Sequence, residues 1–453
     1  MEALITIFAT GLVAMFIAMA RKPMLVLATA SIGLLAAAGM LVNQLVEPNP
    51  WLKYDGIYFD TFALISSLVA VLFTFLIILA GYERFKLESQ HTGEYISLLL
   101  FSLSGAICLL SYTDLFMFFL GLEIMSIPIY VMVGTKKKDL RSSEASMKYF
   151  FTGAFATGLL LFGIAWLYGA LGTFSMAEIL RATMNPENHG PLLYIGVLLI
   201  MASFLFKIGA APFHFWSPDV YEGSPNIVTG YMAAVVKLAA FLAFIRMFMI
   251  GFGGIHDFWA PAIYGLSILT MFVGNLTALR QQGFKRLIAY SSITHVGYAL
   301  MTVIGSGGQS LQALWIYLFA YGFSIIALIV VSMMLNNDGD ELSAYKGVAR
   351  KNPLIGFVFI LGLLSLAGIP PLAGFFGKYL VFASAIREYP VLVVIALINS
   401  GIAIYYYLKL IRISLDQDGV EDAPALNMTP LYAIVLAVCM VGILLGGSAS
   451  WLI

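Results

Sequence analysis

Apolar segments of about twenty residues, each long enough to cross a lipid bilayer, recur along nearly the whole chain. Inside a bilayer the peptide groups meet no water, so each segment must satisfy its own N–H and C=O groups as a helix. The pattern predicts an all-α integral membrane protein of fourteen spans, near residues 2–20, 23–46, 59–81, 95–112, 114–134, 145–169, 191–216, 225–250, 260–280, 287–305, 311–335, 353–386, 390–413 and 429–452. No connecting loop is long enough to hold a soluble domain, so the whole chain is expected to form one membrane domain.

Composition narrows the function. Only 11% of the 453 residues are charged and 61% are hydrophobic, far from a soluble globular protein. The formal net charge is zero, which gives no case for nucleic acid or a basic tail. Cys108 and Cys439 both lie in apolar runs. Two cysteines cannot hold an iron–sulfur cluster, and neither C-x-x-C nor G-x-G-x-x-G occurs, so no cofactor is expected on this chain. The opening MEALITIFATGLVAMFIAMARK has no basic n-region and reads as a retained first helix.

Lysine and arginine set the expected orientation. Loops after odd-numbered spans carry 16 of them, including Lys53's opposites Arg21, Lys22, Arg84, Lys86 and Lys136 to Lys138; loops after even-numbered spans carry four, Lys53, Arg181, Arg246 and Arg387. Both termini should therefore face away from the cytoplasm.

The remaining four cations are the informative ones. Lys148 follows Glu144 by four residues, a spacing that allows an ion pair on one helix face. Lys207, Lys237 and Lys378 lie inside apolar runs, as does Glu123. Glu123 stands about ten residues into the fifth span, or about 14 Å deep, and Lys237 lies at a similar depth in the eighth. Such a charge at mid-helix costs roughly 2.5–3.5 kcal/mol, and four unpaired ones on the order of 10 kcal/mol. Groups that expensive pair, face water or serve a function. Glu123 and Lys207 have opposite signs and suit a pair between helices. A lysine without water holds its proton less tightly, and a nearby carboxylate restores the hold. Moving the carboxylate would then switch the lysine, and a row of such groups would relay protons. A static pair that fixes packing is the plainer alternative.

Two helix breaks accompany these charges. Gly209-Ala-Ala-Pro212 interrupts the seventh span beside Lys207, and Gly368-Ile-Pro-Pro371 interrupts the twelfth before Lys378. The breaks lie five spans apart, and an odd number of spans reverses direction across the membrane. Spans 4–8 (95–250) and 9–13 (260–413) would form two inverted five-helix repeats, preceded by three helices in 1–94 and followed by a last helix at 429–452. Matched broken helices in inverted repeats mark ion pathways in transporters. Isolated Pro-Gly kinks are common in membrane helices, but a matched pair is not. A break also leaves helix-end carbonyls whose partial negative charge favours a cation such as Lys207.

Other polar residues are weaker signals. His295 in the tenth span fits either a proton wire or a structural hydrogen bond. His214 and Asp219 line a water entry or cap a loop. Lys285 and Arg286 read as orientation determinants, Lys136 to Lys138 as a solvated loop, and Tyr405 to Tyr407 as packing and interface residues.

At these residues the chain resembles the antiporter-like membrane subunits of respiratory complex I, the bacterial NADH–quinone oxidoreductase, and among them the N type. The likeness runs over nearly the whole chain. It is carried by SSEASMKYFFTGAF from Ser142, KIGAAPFHFWSPDVYEGSPNIVTGY from Lys207 and FKRLIAYSSITHVGYAL from Phe284. The resemblance implies a switchable pair of Glu123 with Lys207, a central relay at Lys237 and an exit-side relay at Lys378. It implies a lesser role for His295, and an acidic position at Glu144 near a neighbouring subunit. It also implies partners: M- and L-type antiporter-like subunits, small membrane subunits, the bilayer, and a peripheral arm that holds FMN, iron–sulfur clusters and quinone chemistry. The localisation it implies is the bacterial inner membrane. A subunit of a multi-subunit sodium/proton antiporter is the alternative, against which the Asp219-to-Pro225 run speaks. A passive scaffold is a third.

Overall fold

The computed structural model describes residues 1–47, 56–88, 92–305, 308–335, 341–421 and 423–446. Lys53, the side chains of Arg84 and Lys86, and the end of the fourteenth predicted span lie outside the described residues. The helices are α1 (Glu2–Ala18), α2 (Pro23–Val46), α3 (Thr61–Glu88), α4 (Thr92–Ser111), α5 (Leu115–Val133), α6 (Leu140–Leu171), α7 (Met176–Thr183), α8 (Pro191–Ile208), α9 (Trp216–Gly223) and α10 (Asn226–Tyr231). They continue with α11 (Lys237–Arg246), α12 (His256–Ala278), α13 (Phe284–Ile304), α14 (Gly308–Met334), α15 (Val348–Lys351), α16 (Pro353–Ala367), α17 (Ala373–Ala385), α18 (Pro390–Ser414) and α19 (Pro430–Leu445).

Among the described residues, eleven helical stretches are long and apolar enough to cross a membrane, and α1, α16 and α19 are shorter apolar helices. With α16 and α17 taken as one broken span, these match the fourteen predicted runs. The ends follow ordinary capping chemistry. The Asp114 carboxylate accepts from Met117 N at 2.7 Å and the Asp139 carboxylate from Arg141 N at 2.9 Å. Proline opens α2, α16, α18 and α19, where its missing N–H costs nothing. The short α7, α9 and α15 were not expected from hydropathy, since they are too brief to span.

The chain divides into two compact units: residues 1–208 with 235–259, and residues 209–234 with 260–453. In the first unit, α4 packs on α1, α3 and α5, α6 packs on α8, and α11 packs on α3, α4 and α8. The α4–α5 contact is close because Gly105 and Gly121 let the backbones touch, as small residues do between membrane helices. In the second unit α14 is the hub, against α10, α13, α16, α17 and α19, while α13 also meets α9, α17 and α18. Burial follows this order: 94% of the central window of α13 is buried, against 33% for the peripheral α6. The helix-centre residues of α13 are thus held among protein groups, where polar side chains can find partners.

Candidate functional site

Both predicted breaks are present and share one local design. Helix α8 stops at Ile208, Gly209 takes φ +75°, and the Ala211–Pro212 peptide is cis. Helix α16 stops at Ala367, Gly368 takes φ +82°, and the Pro370–Pro371 peptide is cis. Glycine tolerates the left-handed backbone that ends each helix.

In the first unit Lys207 is buried in the last turn of α8. Its ammonium donates to the Ser126 hydroxyl of α5, which in turn donates to Leu122 O. The rings of Tyr130 and Tyr149 lie 5.6 and 5.8 Å from the Lys207 Nζ, within reach of cation–π attraction. Glu123, one turn before Ser126, accepts instead from the Thr157 hydroxyl of α6 at 2.6 Å. Among the described residues the short contacts of Glu123 and Lys207 go to hydroxyls and not to each other. The opposite charges suited a pair; here Glu123 of α5 bonds Thr157, while Lys207 of α8 bonds Ser126, one turn from Glu123 on α5. The reason is local: Ser126 and Thr157 place oxygens nearer to the charges than the charges lie to one another.

Lys237 is buried at the first position of α11. The five residues before it, Met232–Val236, form a π-helical turn, and a second π turn at Met247–Gly251 follows Arg246. Single π turns concentrate at functional sites. Neither carries a proline, so neither was legible in the sequence. Arg246, counted above as a loop cation, belongs to the last turn of α11 and pairs with Asp60 at 2.9 Å. Glu144 pairs with Lys148 at 2.6 Å as its spacing allowed, on the exposed side of α6.

In the second unit Lys378 of α17 reaches back across the break. Its Nζ donates to Ala367 O, at the end of α16, at 2.9 Å and to the Ser400 hydroxyl of α18 at 3.2 Å. The Tyr298 ring lies 5.2 Å away. A helix-end carbonyl and a cation suit each other electrostatically. His295 is buried between two phenols: Nδ1 lies 2.5 Å from Tyr317 Oη and Nε2 lies 3.1 Å from Tyr407 Oη. Tyr407 also meets the Ser291 hydroxyl. Nearby, Asn275 Nδ2 donates to Asn399 Oδ1 at 2.9 Å, and its own Oδ1 accepts from Tyr406 Oη at 3.1 Å. A neutral imidazole has one donor and one acceptor nitrogen, and a phenol can serve either. This arrangement can pass a proton in both directions.

Two sequence readings need correction here. Tyr406 and Tyr407 are buried and do more than pack, since their hydroxyls bond Asn275, Ser291 and His295, while Tyr405, 64% exposed, faces outward. Three consecutive helical residues point about 100° apart, so they never shared one environment. Lys285 and Arg286 are not merely orientation charges. Buried Lys285 donates to Glu222 O at 2.9 Å and Ser224 O at 3.0 Å, capping α9, while Arg286 bridges Asp219 at 2.9 Å and Glu222 at 2.7 Å. Asp219 is thereby tied to Arg286. Buried His214 stands in the break, with no hydrogen-bond partner for Nδ1 among the described residues.

The family described as NADH:quinone oxidoreductase/Mrp antiporter, TM, matches residues 112–403, which include Glu123, Lys207, Lys237, His295 and Lys378 but end before Tyr406 and Tyr407. An NADH-quinone oxidoreductase subunit N of Trichlorobacter lovleyi is 37% identical over 398 residues, covering 87% of this chain and 82% of that protein. A chain of respiratory complex I from Thermus thermophilus superposes with a TM-score of 0.83 at 32% identity, covering 99% of this chain and 98% of that one. A chain of the Mrp complex from Dietzia sp. reaches a TM-score of 0.84 at 20% identity, covering 100% and 96%, a likeness of fold alone.

Proposed function

Because this chain belongs to the NADH:quinone oxidoreductase/Mrp antiporter family of membrane subunits, we propose that it is the N-type, proton-translocating subunit of an NADH–quinone oxidoreductase. It lies in a bacterial inner membrane with both termini on the periplasmic side. It assembles with M- and L-type subunits and small membrane subunits. FMN, iron–sulfur clusters and quinone belong to partner subunits, and quinone reduction there changes the field acting on the charges here.

The observation that carries the reading is the environment of the buried lysines. Lys207 and Lys378 bond to hydroxyls, a carbonyl and ring faces. An ammonium held this way is stabilised without being locked to a carboxylate, so it can release its proton and recover it. Glu123 and Lys207 act as the switch, Lys237 as the central relay and Lys378 as the relay toward the exit. His295, between its two phenols, hands protons on within the second unit. Glu144 marks the boundary toward a neighbouring subunit. The two broken helices are counterparts in inverted repeats that span 95–250 and 260–413.

The antiporter reading is the weaker one, because the likeness to the Mrp chain is far more distant in sequence than that to the subunit N relative. A Lys237→Met variant in the assembled complex tests the proposal. Proton pumping per electron should fall, with oxidoreductase turnover falling alongside if the two are tightly coupled. Unchanged pumping in an assembled variant removes Lys237 from the relay.

A further inference from the structure

The first unit contains a cavity that the relay does not use. It has a volume of about 600 Å3 and lies where the first turns of α4 meet the loop between α5 and α6. Leu98 and Val131 give it apolar surface, and the consecutive Lys136, Lys137 and Lys138 give it ammonium groups. Glu94 and Asp139 also line it, but the Asp139 carboxylate is engaged by the Arg141 N–H at 2.9 Å. The loop is a built turn. Thr135 donates to Met132 O at 2.8 Å, the Tyr95 hydroxyl bonds the Thr135 hydroxyl, and Asp139 N donates to Lys136 O at 2.9 Å. The loop backbone that carries the lysines is therefore fixed before any ligand arrives.

An apolar stripe leads away from the cavity. Val131, Ile127 and Ile124 follow one another at helical spacing on α5 and are 55%, 54% and 38% exposed. From Val131 to Ile124 the stripe runs about 10 Å along the helix. A ligand that uses both surfaces needs an anionic head and a hydrocarbon tail. A soluble phosphate would use the lysines and leave the stripe idle.

We propose that this cavity binds one anionic glycerophospholipid of the surrounding bilayer, with its phosphate among Lys136, Lys137 and Lys138 and an acyl chain along Val131, Ile127 and Ile124. The site is independent of which ion the chain moves. Each lysine near a membrane surface favours an anionic lipid by about fivefold, and the Glu94 and Asp139 carboxylates offset part of that preference. The preference for an anionic over a zwitterionic lipid should be about 10- to 100-fold.

The test uses the complex purified from its own membranes and placed in nanodiscs with photoactivatable phosphatidylglycerol or phosphatidylcholine. Cross-linked peptides are then mapped by mass spectrometry. The phosphatidylglycerol probe should label residues 94–98 or 124–139 at least tenfold more than the choline probe. Replacing Lys136, Lys137 and Lys138 together by Gln should remove that difference while choline labelling stays low. Equal labelling of the unmodified complex by both probes means ordinary contact with bulk lipid and overturns the proposal. Loss of labelling on adding inorganic phosphate at millimolar concentration would assign the site to a soluble anion and overturn it as well. The comparison of probes on the unmodified complex decides the matter even if the triple variant fails to assemble.

Discussion

Gly105→Ala should damage this protein far more than Gly158→Ala, although both add one methyl group to a membrane helix. A Cβ built on Gly105 would stand 2.2 Å from Met125 N and 2.6 Å from the Ile124 carbonyl carbon, both backbone atoms of α5. Ordinary contact begins at 3.4 Å, so α4 and α5 must part by about 1.2 Å. The Ser102 hydroxyl donates to Met125 O at 2.6 Å, and that bond would lengthen past its useful range. Overpacking of this kind costs about 1–3 kcal/mol, and the lost bond adds about 1 kcal/mol. The residues displaced, Ile124 and Met125, stand between Glu123 and Ser126. A shift of about 1 Å in a proton-transferring group can slow its step on the order of 100-fold. At Gly158 no atom lies within 4 Å, and alanine there should be neutral or stabilising by up to about 1 kcal/mol. The assay is thermal stability of the assembled complex with proton uptake per electron in reconstituted vesicles. Full pumping in Gly105→Ala, with a melting temperature equal to that of Gly158→Ala, would refute the claim that this helix contact positions the Glu123 region.

The charges on the first turn of α13 give a contrasting pair. Lys285→Met takes the ammonium from two carbonyls at the end of α9, one buried and one part-buried, and should destabilise by about 2–4 kcal/mol. Arg286→Gln breaks ion pairs that are about a third exposed and should cost only about 1 kcal/mol. Melting of the two assembled variants checks the order, and the reverse order would restore the view that Lys285 serves only orientation. Tyr407→Phe removes the hydroxyl beside His295 Nε2 while keeping the ring. Coupled turnover should fall several-fold with assembly intact, since the phenol was the proton's neighbour. Equal turnover in wild type and variant would leave His295 a structural residue.

The element pattern was legible in the sequence for a physical reason. A bilayer forces each crossing segment to satisfy its backbone within itself, so length and apolarity alone locate a helix. The same isolation made Glu123, Lys207, Lys237 and Lys378 conspicuous, because charge in an apolar run is costly wherever its partners are. Gly209 and Gly368 were legible too, since glycine with proline ends a helix by local sterics. What those charges touch was not legible. Ser126 and Lys207 are 81 residues apart in the chain, and His295 and Tyr407 are 112 apart. Serine and tyrosine occur throughout the apolar helices, and only packing selects the few hydroxyls that meet a charge. The π turn before Lys237 and the burial of Lys285 belong to the same class. Each depends on which helix faces lie together. The sequence by itself determined where helices run, where they break and which charges needed an explanation. The tertiary structure decided that hydroxyls, ring faces and a helix-end carbonyl surround Lys207 and Lys378, because hydrogen bonds act over about 3 Å and only the folded chain brings such distant residues that close.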